Sequence, residues 1–427
     1  MEEDIQNLSE NVVKSPSAIV ENRLKSAVET AQEVLDYEAA HNPEILKALS
    51  IVLSFLKRKR RVCYGGTAMN AILPPKRRFY SAETDLPDYD FFTPDIETDV
   101  RELAADLGKA GFKDVYTRLG IHEGTKKVLV NYVPIADITN LNPEVFEAFY
   151  KRSIVKGGVH YTDPDVLRMM MYLEISRPKG MVSRWEKVYE RLQLINDTFP
   201  PKVSSIRRGA TRKSARAPTV PKDVRHLLLN YCIEYKRIVF TGGLDNFYKS
   251  VISRKMTTYH PDAYKGVVGF ITHDVKKDAV EIQKLLGGPQ VAKGFIHKAK
   301  GDIVPEHVEI RYLGVPCAVF FKESACHAYL NFNTDDGRTI SVATLDTLIT
   351  LYYAISIFTL KSKTLIPGLD AQIPKFIHLA EENRRLKDPP IPSFPLTCRG
   401  YQKGFTTLLR ERVARMKAEK EVVKQKE

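Results

Sequence analysis

Cysteine is scarce in this 427-residue chain: Cys63, Cys232, Cys317, Cys326 and Cys398 are scattered, with no C-x-x-C pair. An odd, unclustered set argues against a disulfide framework and against a zinc site built on cysteine spacing, and it suits a reducing compartment. Long apolar runs are missing too. The longest uncharged stretch of the C-terminal half, Thr347 to Leu360, has 14 residues between Asp346 and Lys361, too short for a bilayer. No apolar leader core follows the opening Met-Glu-Glu-Asp. Acid is in deficit, with 52 Asp+Glu against 65 Lys+Arg and a net charge of +13. That balance suits a polyanionic partner, nucleic acid above all, because each Lys or Arg laid on a phosphate releases a condensed counterion. A basic enzyme without such a partner has the same balance. At 43% hydrophobic and 27% charged, the chain has the composition of a folded globular protein. Its length predicts about three domains.

Apolar residues at helical spacing (Val28, Ala31, Val34, Leu35, then Ile45, Leu49, Val52, Leu56) predict a helical region over residues 1–60. Asn42 and Pro43 are placed to start its second helix. The basic run Lys57–Arg61 reads as a solvated helix end or as a localisation signal. From Val62 the pattern alternates: strands at 62–64, 88–93, 113–119 and 127–139, and helices at 67–73, 96–111, 165–176 and 184–196. This is an α+β order. Between Lys202 and Arg225, eight Lys/Arg and one acid sit among Ser, Pro, Gly and Ala, which reads as a basic linker or a nucleic-acid arm.

Three echoes then appear in order. Gly242-Gly243 within Phe240–Leu244 follows Gly65-Gly66 within Tyr64–Ala68 by 177 residues, Phe270–Val275 follows Phe91–Ile96 by 179, and Asp346–Ile355 follows Asp165–Glu174 by 181. The chain is predicted to carry one supersecondary unit twice.

Gly65-Gly66-Thr67 stands where a strand turns into a helix, a place where backbone N–H groups can meet a phosphate, although tight turns also use Gly-Gly. In Asp88-Tyr-Asp90-Phe-Phe92, period two puts both carboxylates on one strand face and the aromatics on the other. Paired carboxylates repel unless a cation lies between them, and divalent ions serve that purpose. Asp137 is the single acid of an apolar run, costly to bury unless paired or metal-bound. Pro134 marks that strand as an edge or a bulge.

A glycine pair opening a helix, then Asp-x-Asp, then one later Asp resembles the DNA polymerase β-type nucleotidyltransferase superfamily. More narrowly, Tyr64-Gly-Gly-Thr-Ala-Met-Asn70, Asp88-Tyr-Asp-Phe-Phe92, Arg184-Trp-Glu-Lys187 and Cys398-Arg-Gly-Tyr-Gln402 resemble the poly(A) polymerase catalytic subunits of large nucleocytoplasmic DNA viruses of poxvirus, asfarvirus and giant-virus type. The likeness runs from about residue 40 to 415, with a longer gap between Gly66 and Asp88 (the loop 76–87) than is common. It implies N-terminal helices over 1–60, a catalytic mixed-sheet domain over 61–200, a basic linker over 201–222, a degenerate copy over 223–395 and a basic tail over 396–427. In the second copy, spacing sets Val267, Gly269 and Cys317 opposite Asp88, Asp90 and Asp137, so that copy holds no catalytic metal and reads as a scaffold or an RNA-binding domain.

The resemblance further implies that Asp88, Asp90 and Asp137 hold two Mg²⁺ or Mn²⁺ ions and that Gly65, Gly66 and Thr67 grip the triphosphate of ATP. Asn70 is placed for sugar or phosphate, or for packing. The RNA 3′ hydroxyl is the implied attacking group. Arg168 and Tyr172, one turn apart, are placed to reach a phosphate and a base, or read as an exposed face of a core helix; His160 is a ligand or an ordinary loop histidine, the second reading being preferred in each case. The tail from Tyr401 reads as a basic helix that follows RNA or is merely solvated. Template-independent polyadenylation of viral mRNA is the expected activity. An oligoadenylate-synthase or CCA-adding type, or a non-catalytic RNA-binding subunit, are the alternatives. A processivity subunit or a homodimer is the expected assembly, the infected-cell cytoplasm and the virion the expected locations, and no membrane is involved.

Overall fold

The computed structural model describes residues 16–81, 85–87, 89–120, 124–201, 219–260, 266–301, 303–358, 366 and 369–424. Asp88, Val-Ser-Ser at 203–205 and the rest of the basic stretch 202–218 lie outside them.

Helix α1 (Pro16–Ala40) leads into α2 (Pro43–Lys59), where the Asn42 side chain accepts from the N–H groups of Glu44 and Ile45, and Pro43 takes the first turn. The helix ends on Arg60 in the left-handed region, at φ 52°. The basic run is not simply solvated. Arg58, Lys59 and Arg61 reach across to Asp106, Glu102 and Asp99 of α4 (Ile96–Lys109).

The first sheet holds β1 (Val62–Cys63), β2 (Tyr89–Thr93), β3 (Val115–Leu119), β4 (Thr125–Val130), β5 (Val133–Asn140), β6 (Ile154–Lys156) and β7 (Val159–Tyr161). Helices α3 (Gly65–Ile72), α5 (Pro143–Arg152), α6 (Pro164–Ile175) and α7 (Trp185–Thr198) complete the unit. What the sequence suggests as one strand at 127–139 is a hairpin. Asn131 and Tyr132 both take positive φ, at 48° and 65°, the conformation of a two-residue turn between antiparallel strands. Tyrosine at such a φ hides the turn from sequence inspection. The expected bulge at Pro134 is present, as a register shift where Leu129 faces it.

The second sheet holds β8 (Ile238–Val239), β9 (Thr258–Tyr259), β10 (Val268–Thr272), β11 (Ala292–His297), β12 (His307–Tyr312), β13 (Val315–Lys322), β14 (His327–Thr334), β15 (Thr339–Ala343) and β16 (Cys398–Arg399). Its helices are α8 (Lys222–Glu234), α9 (Leu244–Ile252), α10 (Val275–Leu285), α11 (Leu345–Phe358), α12 (Leu369–Arg385) and α13 (Phe405–Lys424). Strand order is β3-β4-β5-β2-β1-β7-β6 in the first sheet and β11-β12-β13-β10-β8-β15-β14 in the second, before β16. The two orders are the same, so the duplication expected from the echoes is real.

Smaller devices repeat with it. Asp95 and Asp274 cap the helices that follow β2 and β10. Arg61 pairs with the fully buried Asp99 of α4, and Arg237 with the fully buried Asp278 of α10. The repeated helices α6 and α11 pack on each other. Arg168, fully buried, donates from Nη1 to Asp165 at 2.5 Å and to the Tyr353 hydroxyl at 3.2 Å, and Tyr353 in turn donates to Asp165. Asp346 of α11, in the place of Asp165, takes both carboxylate bonds from Arg384 at 2.6 Å. Arg168 and Tyr172 are therefore buried between the halves rather than exposed, because their helix has a partner on the face that the sequence leaves open.

A second correction concerns cysteine. Cys326 and Cys398 form a disulfide that ties β16 beside β14, while Cys63, Cys232 and Cys317 are free and buried. A separation of 72 residues hides that pairing, which the strand contact brings about. No described helix is long and apolar enough to cross a membrane.

Candidate active site

Strands β2 and β5 run parallel with Asp90 directly opposite Asp137, so both carboxylates rise from the same face of the sheet. Tyr89 and Phe91, on either side of Asp90, are buried in the core beneath, as the alternation predicts. Register continues the row across the sheet, from Asp137 to Lys127 of β4 and from Lys127 to Arg118 of β3. Lys127 Nζ donates to Asp137 Oδ2 at 2.5 Å. Asp137 Oδ1 is buried with no hydrogen-bond partner among the described residues. A buried carboxylate oxygen left unpaired costs about 1–3 kcal/mol or more, so this atom is placed to receive something.

Gly65 closes the site from the other side. Its φ is +73°, and a Cβ there would lie 2.5 Å from Asp90 Oδ2. The start of α3 thus comes against the carboxylate as closely as a backbone can, and glycine is needed both for the angle and for the contact. Cys63, one strand in, has its thiol pushed up by burial first and by nearby Asp90 second, which keeps it protonated beside the carboxylates. Gly65→Ala is expected to lower activity at least about 100-fold and to cost roughly 1–3 kcal/mol in urea melts, since it adds both backbone strain and a clash. Unchanged turnover by that variant would mean that α3 does not approach the reacting groups.

Thr67 lies half-buried in the first turn of α3. Asn70, one turn on, serves the loop: its Oδ1 accepts from the N–H groups of Phe79 and Tyr80 at 2.9 and 3.1 Å. The long loop after Gly66 is thereby folded back onto α3. Arg191 of α7 meets it there, 2.9 Å from the Tyr80 hydroxyl. Lys127, Tyr80 and Arg191 are not singled out by sequence. Lys127 is an ordinary strand lysine until the register is known, and Arg191 is 111 residues from Tyr80. His160 lies in β7 rather than in a loop; its Nδ1 shares a hydrogen bond of 2.7 Å with Ser153 and its ring stacks on Tyr150. Burial, then Arg60, lowers its pKa. The basic helix α13 lies against β3, the edge of the same sheet.

The second unit shows the same place without the chemistry. Gly269 stands where Asp90 does, but its partner in β13 is Val319, not Cys317. Pro316 faces Arg311 at a bulge as Pro134 faces Leu129, which sets the true offset at 182 residues and puts Cys317 opposite Ile135. The carboxylate is lost either way. Thr241 fills its space, accepting from the Gly269 N–H at 2.6 Å and donating to the Val267 carbonyl. A Cβ on Gly269 would sit 2.3 Å from the Thr241 methyl, so an aspartate cannot be restored there without moving it.

Residues 50–181, which carry this site, match the family model described as poly(A) polymerase catalytic subunit. The match covers under a third of the chain. A protein of African swine fever virus (isolate Tick/Malawi/Lil 20-1/1983), named for a poly(A) polymerase catalytic subunit, is 28% identical over 193 residues, 44% of this chain and 40% of the relative. A protein of the same name from Acanthamoeba polyphaga mimivirus is 29% identical over 184 residues, 42% of this chain and 30% of the relative. The match thus spans less than half of these curated relatives. The crystal structure of the Megavirus polyadenylate synthase superposes with a TM-score of 0.75, over 96% of this chain and 84% of that chain, at 18% identity. That likeness is one of fold, and it extends through both sheets. Within this segment Gly65, Asp90 and Asp137 come together, while Gly66 faces Tyr80 and Arg191.

Proposed function

We propose that this chain is a template-independent poly(A) polymerase that transfers AMP from ATP to the 3′ hydroxyl of RNA. The observation that carries it is Asp90 in register with Asp137, pressed against the positive-φ glycine that opens α3. The family match of residues 50–181 supports adenylyl transfer over other chemistry for such a site. Erasure of the carboxylates in one copy and their retention in the other favours an enzyme over a purely RNA-binding subunit.

The donor set fits a hard divalent cation: oxygen ligands only, one of them buried without a partner. Asp88, Asp90 and Asp137 would hold Mg²⁺ or Mn²⁺, which when bound lowers the pKa of an attacking hydroxyl and offsets the charge of the triphosphate. The remaining work falls to the chain. Gly65 and Gly66 let the backbone N–H groups at the start of α3 approach phosphate oxygens, and Thr67 stands in the same turn. The core under β2 and β5 fixes both carboxylates on rigid strands, so their spacing does not depend on a loop. Lys127 offsets the charge of Asp137 until the substrate complex forms.

Residues 61–200 form the catalytic unit in this reading, and 223–395 a scaffold derived from it. In this reading the activity belongs in the infected-cell cytoplasm and the virion.

Primer extension tests the proposal. Full-length protein, 5′-labelled RNA and Mg²⁺ or Mn²⁺ should give a ladder of long products with ATP alone. Short additions, or equal use of all four nucleotides, would move the chain to another nucleotidyltransferase type.

A further inference from the structure

The described end of the long loop folds onto the start of α3 and carries two aromatic residues there. Phe79 and Tyr80 are held by Asn70, with their rings edge to face at 4.7 Å. Arg191 reaches in from α7. Its guanidinium lies 4.6 Å from the Phe79 ring centre, and Nη2 donates to the Tyr80 hydroxyl at 2.9 Å. Both groups end against Gly66, where a Cβ would sit 2.5 Å from Tyr80 Oη and 3.1 Å from Arg191 Nη1. Among the described residues Arg191 has no acidic partner; an aromatic ring and a hydroxyl take that place. A half-buried guanidinium held this way keeps its planar fork of donors available to an anion, at the cost of a hydroxyl that can be displaced.

Position says which anion. Gly65 adjoins Asp90, where the reacting phosphate belongs, and Gly66, one residue further along α3, adjoins Tyr80 and Arg191. The rest of a triphosphate laid along the helix start leads from the first glycine to the second. We propose that Arg191 grips the terminal phosphates of the incoming nucleotide, and that the Tyr80 hydroxyl holds its place until the nucleotide arrives. Gly66 is then glycine because any side chain would fill the gap that phosphate and guanidinium share. Arg191 is a substrate-positioning residue and moves no proton. This inference rests on the reading of the Gly65–Gly66 turn as a nucleotide site.

Calorimetric titration of the full chain with ATP, AMP and inorganic tripolyphosphate, each with Mg²⁺, tests it. Arg191→Gln should weaken ATP and tripolyphosphate by about 10- to 100-fold, the worth of hydrogen bonds to a charged group, and leave AMP unchanged. Arg191→Lys should recover part of the loss. In primer extension, Arg191→Gln should raise KM for ATP far more than it lowers kcat. Tyr80→Phe should bind ATP as tightly as wild type or up to about tenfold more tightly, since the nucleotide no longer displaces a hydroxyl.

Equal weakening of ATP and AMP in a variant that melts like wild type would make Arg191 merely structural and overturn the inference. So would an Arg191→Gln protein that binds ATP normally. Weakening of ATP by Tyr80→Phe would remove the placeholder role. A wild-type chain that binds neither ATP nor tripolyphosphate overturns the nucleotide-site reading itself. Wild-type binding with an unaffected Arg191→Gln protein overturns only the role of Arg191.

Discussion

Replacing Asp90 and Asp137 together with asparagine is expected to lower ATP-dependent RNA extension by at least about 10³-fold, because the several kcal/mol that a metal-binding pair contributes to the transition state is lost. The fold should survive. Asn keeps the shape of Asp, the core residues Tyr89 and Phe91 are untouched, and the Asp137 Oδ1 atom has no hydrogen bond to lose among the described residues. At Asp137 the pair with Lys127 is removed. Near-wild-type melting together with lost extension separates chemistry from stability. Extension that persists in the double variant would remove the two carboxylates from the mechanism. A calorimetric titration with Mn²⁺ should fail in the same variant, which gives a second readout independent of RNA.

The largest loss of stability is expected at the other end of the molecule. Arg237→Met leaves the fully buried Asp278 without a cation, and breaking a buried pair from one side costs about 3–5 kcal/mol. That is a large part of the roughly 5–15 kcal/mol that holds a domain folded. The twin substitution Arg61→Met should cost less. Asp99 keeps Lys59, whose Nζ is 3.5 Å away, whereas Asp278 Oδ2 has no hydrogen-bond partner among the described residues. Removing both charges, as Arg237→Met with Asp278→Leu, should return much of the loss, because apolar groups of similar volume often replace a buried pair at little cost. Guanidinium melts of the three variants beside wild type rank these effects. Equal melting of Arg237→Met and wild type would show that Asp278 finds solvent or takes up a proton. Acidification rescues the single variant only if that carboxyl is the cause.

Much of the candidate site is legible in the sequence, and the reasons are physical. Asp90 is visible because strand alternation sets it against buried aromatics, and Asp137 because an acid in an apolar run needs a partner. Gly65 is visible as a turn. The duplication is visible because its echoes occur at cores and caps, where substitution is constrained by packing. The register of β13 is not visible. Loop lengths drift between copies, and only the pairing of Gly269 with Val319 fixes it. Arg168 illustrates the other limit. Its burial depends on α11, some 180 residues away, and no local pattern on α6 announces that helix. Arg191 and the Cys326–Cys398 pair are hidden for the same reason: each acts on a residue that only the fold brings near. Asp88 lies outside the described residues, so its place beside Asp90 rests on the strand pattern alone.

The packing of α6 on α11 has a consequence for dilution. Two separate chains that met through such helices would part as their concentration fell, and the buried Arg168 and Tyr353 would then face water. Here a single backbone joins the mates, which holds their mutual concentration near the millimolar range typical of tethered modules. Specific activity per molecule should therefore be indifferent to dilution as far as this pairing is concerned. If the second unit is the scaffold proposed above, it supplies an adjacent surface that is always present and needs no carboxylates for that.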